Sequence, residues 1–283
     1  MLEFIYEFRY AFAISLIVGI ICPFVGTFIV VRRLSVIGEV LSNMSLSGVA
    51  LGSLLGSIIP FSFVPTLQIY GTFFAIIGAL LVEWLRKRFP SFSEISIPIL
   101  LAFGMGLSVV LFSAMNGFNV NIQAYLFGNL LAVNKTDLIT TLVIGCVVLI
   151  IFLLLYKEFF AVTFDAEYSR LIGIPRRLIQ FLLIIIIALT ISVTVRSIGS
   201  MLVSGLMVLP VATSLLISRG FKSLLLFSML FSVTAIFIGL FFSYLFNLAT
   251  GGTIILISAL LFLSVLLIKK WGFQTSIANS KSY

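Results

Sequence analysis

The chain has 283 residues, of which 61% are hydrophobic and only 9% are charged. Soluble domains carry about 25% charged residues, so this composition predicts an integral membrane protein and excludes a soluble enzyme, a disordered chain and a nucleic-acid-binding protein. The absence of histidine excludes zinc proteases of the His-Glu-x-x-His type and Ser-His-Asp hydrolases. The two cysteines, Cys22 and Cys146, have no spaced partners that would indicate disulfides or a thiolate metal site.

Runs of about 20 apolar residues indicate membrane-spanning helices. About nine such runs follow one another, so we expect an all-α integral membrane protein with eight to nine transmembrane helices and a single transmembrane domain over 1–283. A shorter apolar stretch, 120–133, is interpreted as interfacial or re-entrant because it contains Asn121, Gln123 and Asn129. Pro210 predicts a break in the seventh run. The nine runs lie approximately at 11–31, 36–59, 63–82, 95–115, 137–156, 178–195, 199–217, 221–246 and 251–268.

The basic residues predict the orientation of these helices. With the N-terminus outside and alternating crossings, 14 of the 17 lysines and arginines fall on the cytosolic side. This agrees with the positive-inside rule and puts the C-terminus in the cytosol, and it explains the net charge of +8 without a nucleic-acid partner. The longest cytosolic connection is then 157–177, which is too short to hold a soluble domain.

Glu39 is the one carboxylate predicted to lie inside a span; the other eight fall in loops or at helix ends. Because an ionisable group at the centre of a membrane helix costs about 2.5–3.5 kcal/mol or more, such a residue indicates a functional site. The alternative is that Glu39 lies near the cytosolic end of its helix and snorkels or pairs with Arg33, six residues earlier.

Asn43 follows Glu39 one turn later on the same helix face. A carboxylate and an amide oxygen suit a divalent cation, although Asn43 is equally suited to a helix–helix hydrogen bond.

Three glycines follow this pair at intervals of four residues. Gly48, Gly52 and Gly56 form a double GxxxG repeat, a pattern typical of close helix–helix contact in membranes. We therefore expect these glycines to serve helix packing rather than chemistry.

The segment CPFVGTFIVVRRLSVIGEVLSNMSLSGVALG, residues 22–52, resembles the membrane permease subunit of bacterial ATP-binding-cassette importers for zinc and manganese. Four further segments are similar to that family and occur in the family's order, over most of the chain. They are LFGNLLAVNKTDL at 126–138, FDAEYSRLIGIP at 164–175, SIGSMLVSGLMVLPVATSLLIS at 197–218 and GLFFSYLFNLATGGTIILISALLFL at 239–263.

The resemblance implies a permease bundle of the type II importer class in the bacterial plasma membrane, with a transport role and no enzymatic one. It implies a second permease copy, identical or paralogous, and an extracellular metal-binding protein that delivers the cargo. It also implies two cytosolic ATPase subunits that use the ATP, while this chain holds no permanent cofactor and only passes zinc or manganese. The ATPases would dock on the coupling segment within 157–177, through Phe164, Asp165, Glu167, Arg170, Gly173 and Pro175.

The chain departs from the family at the metal-contacting positions, where an aspartate is followed four residues later by a histidine. Glu39 and Asn43 occupy these positions, so the carboxylate is kept and the imidazole is lost. Oxygen ligands without imidazole favour Mn²⁺ over zinc. By contrast, SNMSLSGVALG and EWLRKRFPSFSEI (83–95) resemble the zinc-importing branch. We expect zinc as the cargo, with manganese or another divalent metal as the alternative.

Two other classes of protein stay open at this point. One is a secondary transporter or channel that uses Glu39 as its coupling site, although no internal repeat supports it. The other is an intramembrane enzyme, which lacks an evident nucleophile–base pair or metal cluster. The importer architecture with a changed cargo, or without transport, is a third variant.

Overall fold

Helices form all the regular structure in the part of the chain that the computed structural model describes, which comprises residues 9–58, 67–89, 93–114, 128, 133–164, 169 and 171–280. Nine helices coincide with the nine apolar runs, and α6 is an additional short helix. In chain order they are α1 (Arg9–Val31), α2 (Ile37–Ile58), α3 (Leu67–Arg88), α4 (Ser93–Ala114), α5 (Lys135–Leu154), α6 (Tyr156–Phe164), α7 (Arg176–Ile198), α8 (Ser200–Leu215), α9 (Phe221–Phe246) and α10 (Thr250–Ser280).

Seven of the described helices are long and apolar enough to cross a membrane. The two others that coincide with predicted spans are α8, which has only 16 residues, and α2, which carries Glu39 and Asn43. The all-helical membrane class is therefore confirmed, while the count of eight to nine spans and the orientation stay predictions.

The break predicted at Pro210 is wrong. Helix α8 runs from Ser200 to Leu215 with Pro210 inside it and buried. Proline removes a single hydrogen bond from the helix ladder, and packing against neighbouring helices holds the remaining turns in place. Gly26 of α1 supplies such packing, since its missing side chain lets the backbone of α1 lie directly on the backbone of Met207.

Helix α2 lies inside the bundle, where it packs against α3, α4, α7 and α8. Its polar side chains from Ser42 to Ser47 are at most 5% exposed. The hydroxyl of Ser47 donates a hydrogen bond of 2.7 Å to the main-chain oxygen of Gly104 on α4. Because lipid offers no partner for such groups, the neighbouring helices must enclose this helix.

Two of the three glycines of the GxxxG repeat lie against α3. A methyl group on Gly48 would overlap the main-chain oxygen of Tyr70, and one on Gly52 would lie 2.7 Å from the Tyr70 ring. Gly56 is exposed, and no heavy atom lies within 4 Å of the position that a methyl group on it would occupy. The close approach of α2 and α3 thus depends on the first two positions.

The stretch 120–133, predicted to be interfacial or re-entrant, lies outside the described residues except for Gly128 and Val133. Gly128 has a φ of 74°, and its backbone rests on the main-chain oxygen of Ile198. It therefore marks a close contact with the junction of α7 and α8, where Gly199 also has a positive φ of 96°.

Replacing Gly48 by alanine is expected to destabilise the protein, because the new methyl group meets backbone rather than a flexible side chain. Overpacking of this kind costs about 1–3 kcal/mol, which we expect as a fall of several degrees in the thermal midpoint of the purified protein in detergent. Gly56→Ala is the matched control and should be neutral or slightly stabilising. Equal midpoints for the two variants would contradict the close contact of α2 and α3.

The predicted orientation is testable with single cysteines in a background with Cys22→Ser and Cys146→Ser. Thr136 and Val36 are both exposed and lie at opposite predicted ends of the bundle, the first in the opening turn of α5 and the second just before α2. A membrane-impermeant maleimide should label Thr136→Cys in intact cells and Val36→Cys only after permeabilisation. The reverse pattern would invert the topology.

Candidate metal site and cytosolic coupling face

Glu39 and Asn43 lie one turn apart on α2, in different surroundings. Glu39 is in the first turn of the helix, where the helix dipole favours a carboxylate, and it is exposed on the single chain. Asn43 is buried, with 5% of its surface exposed. Its amide nitrogen donates a 3.0 Å hydrogen bond to the main-chain oxygen of Glu39, and this bond does not use the side-chain oxygen, the one atom of the amide that can bind a cation.

The contacts of α2 show which face the pair occupies. Gly38 lies beside Met207 and Ser204 of α8 on one side of the helix. On the other side, Ser47 and the main chain of Asn43 lie against Gly104 of α4. At 3.6 residues per turn, positions 39 and 43 fall between these two contacts. The pair therefore faces the gap between α4 and α8.

Of the two simpler interpretations of the pair, the position of Glu39 near the end of its helix is supported, because Glu39 lies in the first turn of α2 and is exposed; a helix–helix hydrogen bond through Asn43 and an ion pair of Glu39 are not. The Asn43 amide bonds within its own helix rather than to a neighbouring one. Among the described residues, Glu39 forms no ion pair within 4.0 Å, with Arg33 or otherwise. Neither observation identifies a ligand, so the role of the pair in metal binding stays a prediction.

One chain supplies few ligands at this place. The described residues contain no group of three or more cysteine, aspartate or glutamate side chains placed to hold a metal. Two serines of α2 that the sequence does not single out, Ser42 and Ser45, have buried hydroxyls without a hydrogen-bond partner. Ser45 lies against Gly71 of α3, so it faces the α2–α3 contact rather than the gap.

The predicted coupling segment 157–177 begins in α6 and ends in the first residues of α7. Phe164 ends α6 and is 54% exposed. Gly173 has a φ of 80°, and the next residue, Ile174, donates its N–H to the main-chain oxygen of Ser169 at 3.1 Å. This is the hydrogen bond that closes a helix at a left-handed glycine.

The other predicted docking residues are described only in part. Pro175 is exposed and precedes the first turn of α7, whereas Asp165, Glu167 and Arg170 lie outside the described residues.

A cluster of aromatic rings joins this segment to the bundle. The Phe164 ring lies 4.6 Å from that of Phe160 and 5.4 Å from that of Phe221 on α9, measured between centroids. Phe221 in turn contacts Phe28 of α1 at 5.2 Å, and Phe28 contacts Phe152 of α5 at 5.0 Å. Sequence reasoning gives no signal for this cluster, because the chain has 29 phenylalanines spread along its length.

A polar contact joins α3 and α7 beside the same segment. One carboxylate oxygen of Glu83 accepts a 2.8 Å hydrogen bond from the Gln180 amide and lies 3.0 Å from the Lys87 ammonium. Desolvation lowers the pKa of the half-buried Arg32, between α1 and α2, and Glu83 opposes this shift, whereas the charge of Arg176 adds to it. The last residues of α1 and α3 and the first residues of α7 therefore meet in one charged region.

A cleft of about 670 Å³ opens in this region between the end of α3 and the start of α7. Its charged lining residues are all cationic, which makes it complementary to an acidic surface. The lining residues are Lys87, Ile174, Pro175, Arg176, Arg177, Leu178 and Gln180.

Comparison with known proteins identifies the family. Residues 3–269 match the model of ABC-3, described as the ABC 3 transport family. The chain belongs to the ABC 3 transport family. The resemblance found in the sequence is thereby confirmed, and the chain is a multi-pass plasma-membrane protein with a transport role. Membership of this family supports a transport role rather than catalysis.

Individual known proteins are similar to this chain along most of its length. The manganese transport system membrane protein MntC of Halalkalibacterium halodurans is 32% identical over 252 residues, covering 89% of this chain and 84% of MntC. The manganese import system permease protein ScaB of Streptococcus gordonii is 28% identical, covering 88% and 86%. The solved structure of PsaBC from Streptococcus pneumoniae in complex with Fab matches with a TM-score of 0.80 and 28% identity, covering 91% of this chain and 90% of that one.

Proposed function

We propose that this chain is the permease subunit of an ATP-driven importer of divalent transition-metal ions, with manganese as its cargo. The observation that carries the proposal is the Glu39–Asn43 pair, an oxygen-only ligand pair on one face of α2 in a member of the ABC 3 transport family. A carboxylate and an amide oxygen attract a divalent cation without holding it as tightly as a site with imidazole or thiolate ligands. Weak binding suits a site that a cargo ion must leave.

The proposal of manganese rests on ligand chemistry and on relatives. Oxygen donors suit Mn²⁺, whereas imidazole and thiolate suit zinc, and this chain has no histidine. MntC and ScaB, both similar to it over most of its length, are named as manganese transport proteins. Zinc, expected from segments 42–52 and 83–95, is the second candidate, and the same uptake measurement distinguishes the two metals.

We further propose that a second permease copy completes the ligand set. Mn²⁺ favours six oxygen ligands in octahedral geometry, and a single chain offers the carboxylate of Glu39 and one oxygen of Asn43. A twofold axis beside the gap between α4 and α8 would bring the same pair from the partner. Exposure of Glu39 on the single chain supports such a shared site, because water or a partner can reach it.

Cytosolic ATPase subunits would supply the energy, since no described segment between helices is long enough for a nucleotide-binding domain. The cationic cleft beside Pro175 and Arg176 is the proposed docking surface. Movement of the coupling segment would reach α1, α5 and α9 through the aromatic cluster and α3 through the Glu83–Gln180 hydrogen bond. An extracellular metal-binding protein would deliver the cargo to the opposite side.

Metal accumulation in cells that express the complete transporter tests the cargo and the site together. The wild type should accumulate manganese in preference to zinc. Glu39→Gln removes the charge and should reduce uptake about tenfold or more, because even a hydrogen bond to a charged group contributes about 1.5–3 kcal/mol. Asn43→Ala should weaken uptake, and Glu39→Asp, which keeps the carboxylate, should retain most of it.

Asn43→His provides the control for ligand chemistry. Restoring an imidazole should shift accumulation from manganese toward zinc. Wild-type uptake by Glu39→Gln would remove the site assignment, and uptake that persists without the ATPase subunits would remove the proposed mechanism.

Gly173→Ala tests the role of the coupling segment. Alanine at a φ of 80° is strained by about 1–2 kcal/mol, so we expect the ATPase activity of the assembled complex to lose most of its stimulation by metal-loaded binding protein. The matched control is Gly220→Ala, another exposed glycine with open space around it but with an extended φ of −164°. Equal activities in the two variants would argue against docking at this turn.

A further inference from the structure

A groove that is separate from the cationic cleft lies on the apolar outer surface of the bundle, away from the Glu39–Asn43 pair. It has a volume of about 320 Å³ and lies between α1, the α5–α6 junction and α9. Phe24, Leu225 and Met229 form its inner wall, and Leu153 and Leu226, which are 69% and 63% exposed, form its rims. Its walls are therefore apolar, and nothing in the transport mechanism above uses it.

The groove runs from the end of the bundle toward its middle. Lys222 is the second residue of α9, and Met229 follows seven residues later. At 1.5 Å per residue, this separation is about 10 Å along the helix axis. In the predicted orientation, Lys222 is at the level of the cytosolic lipid headgroups and Met229 is at the level of the acyl chains.

Two residues with a polar end, Lys222 and Tyr156, border the groove through the apolar parts of their side chains. Lys222 is exposed, so its ammonium can extend to the level of the lipid headgroups, and tyrosine is a residue type enriched at the membrane–water boundary. Arg219 is exposed three residues before Lys222 but is not among the residues that line the groove. The nearest carboxylate along the chain, that of Glu158, does not line the groove.

We propose that this groove binds one anionic phospholipid of the cytosolic leaflet. The phosphate would lie at Lys222, with an acyl chain between Leu226 and Phe24 and extending toward Met229. The combination of an apolar channel about 10 Å long with a cation at its headgroup end matches a lipid in both shape and charge. A water-filled cavity would instead need polar partners along its walls.

Binding at this position would act on the aromatic cluster. The Tyr156 ring lies 6.2 Å from that of Phe221 and 6.3 Å from that of Phe160. Both of these rings contact Phe164 in the coupling segment. A bound lipid would therefore brace the start of α6 beside the surface where the ATPase is proposed to dock.

The test is a tryptophan reporter at the rim, Leu153→Trp, in the full-length chain with Trp84→Phe and Trp271→Phe, reconstituted in bilayers. Brominated phosphatidylglycerol and brominated phosphatidylcholine are compared as quenchers of its fluorescence. We expect about a fivefold preference for phosphatidylglycerol, the contribution of one lysine at the membrane surface. Lys222→Gln should abolish this preference, and Lys222→Arg should retain it.

A tryptophan reporter at a second position distinguishes binding in the groove from unspecific contact with the bilayer. Leu256→Trp, on the exposed face of α10 and about 20 Å along the helix from Lys269, should be quenched equally by the two lipids. Three results would overturn the proposal: equal quenching of the Leu153→Trp reporter by both lipids, a preference that survives Lys222→Gln, or quenching by neither lipid, which would mean that protein covers the groove. Because the readout is local and needs no transport, it fails or succeeds independently of the proposed cargo and of the ATPase partner.

Discussion

The enclosure of helix α2 is the constraint on which the rest of the bundle depends. This helix carries a carboxylate, an amide and several serines through an otherwise apolar protein, and lipid offers no partner for such groups. Its neighbours must therefore approach closely enough to cover it. Gly48 and Gly52 on α2, with Gly71 and Gly78 on α3, remove the side chains that would keep the two helices apart.

The candidate metal ligands and the proposed docking surface lie toward the same end of the bundle. Glu39 is in the first turn of α2, and the short connection 32–36 joins that turn to the end of α1. Arg32, in this connection, interacts electrostatically with Glu83 and with Arg176, which lines the cleft beside the coupling segment. Only a short distance therefore separates the coupling segment from the start of α2, so a movement of the segment would reach this turn through few side chains. This proximity favours mechanical coupling through packed side chains.

The positions of most helices follow from the local sequence, because a helix of about 20 apolar residues matches the thickness of the hydrocarbon core of the membrane. The shared face of Glu39 and Asn43 likewise follows from the helix period. Helix α6 was not predicted, since KEFFAVTF is too short and too mixed to stand out from a loop. The expectation at Pro210 failed because burial and tertiary packing outweigh the loss of a single backbone hydrogen bond.

The sequence by itself determined the membrane class, the positions of the apolar helices, the family resemblance and the candidate oxygen pair, because each depends on composition or on spacing within one segment. Only the tertiary structure decided that Asn43 is buried while Glu39 is exposed, and that the Glu83–Gln180 contact spans 97 residues of chain. It also decided which of 29 phenylalanines join the coupling segment to the bundle. These features arise from contacts between helices far apart in sequence, and local periodicity carries no information about which helices become neighbours.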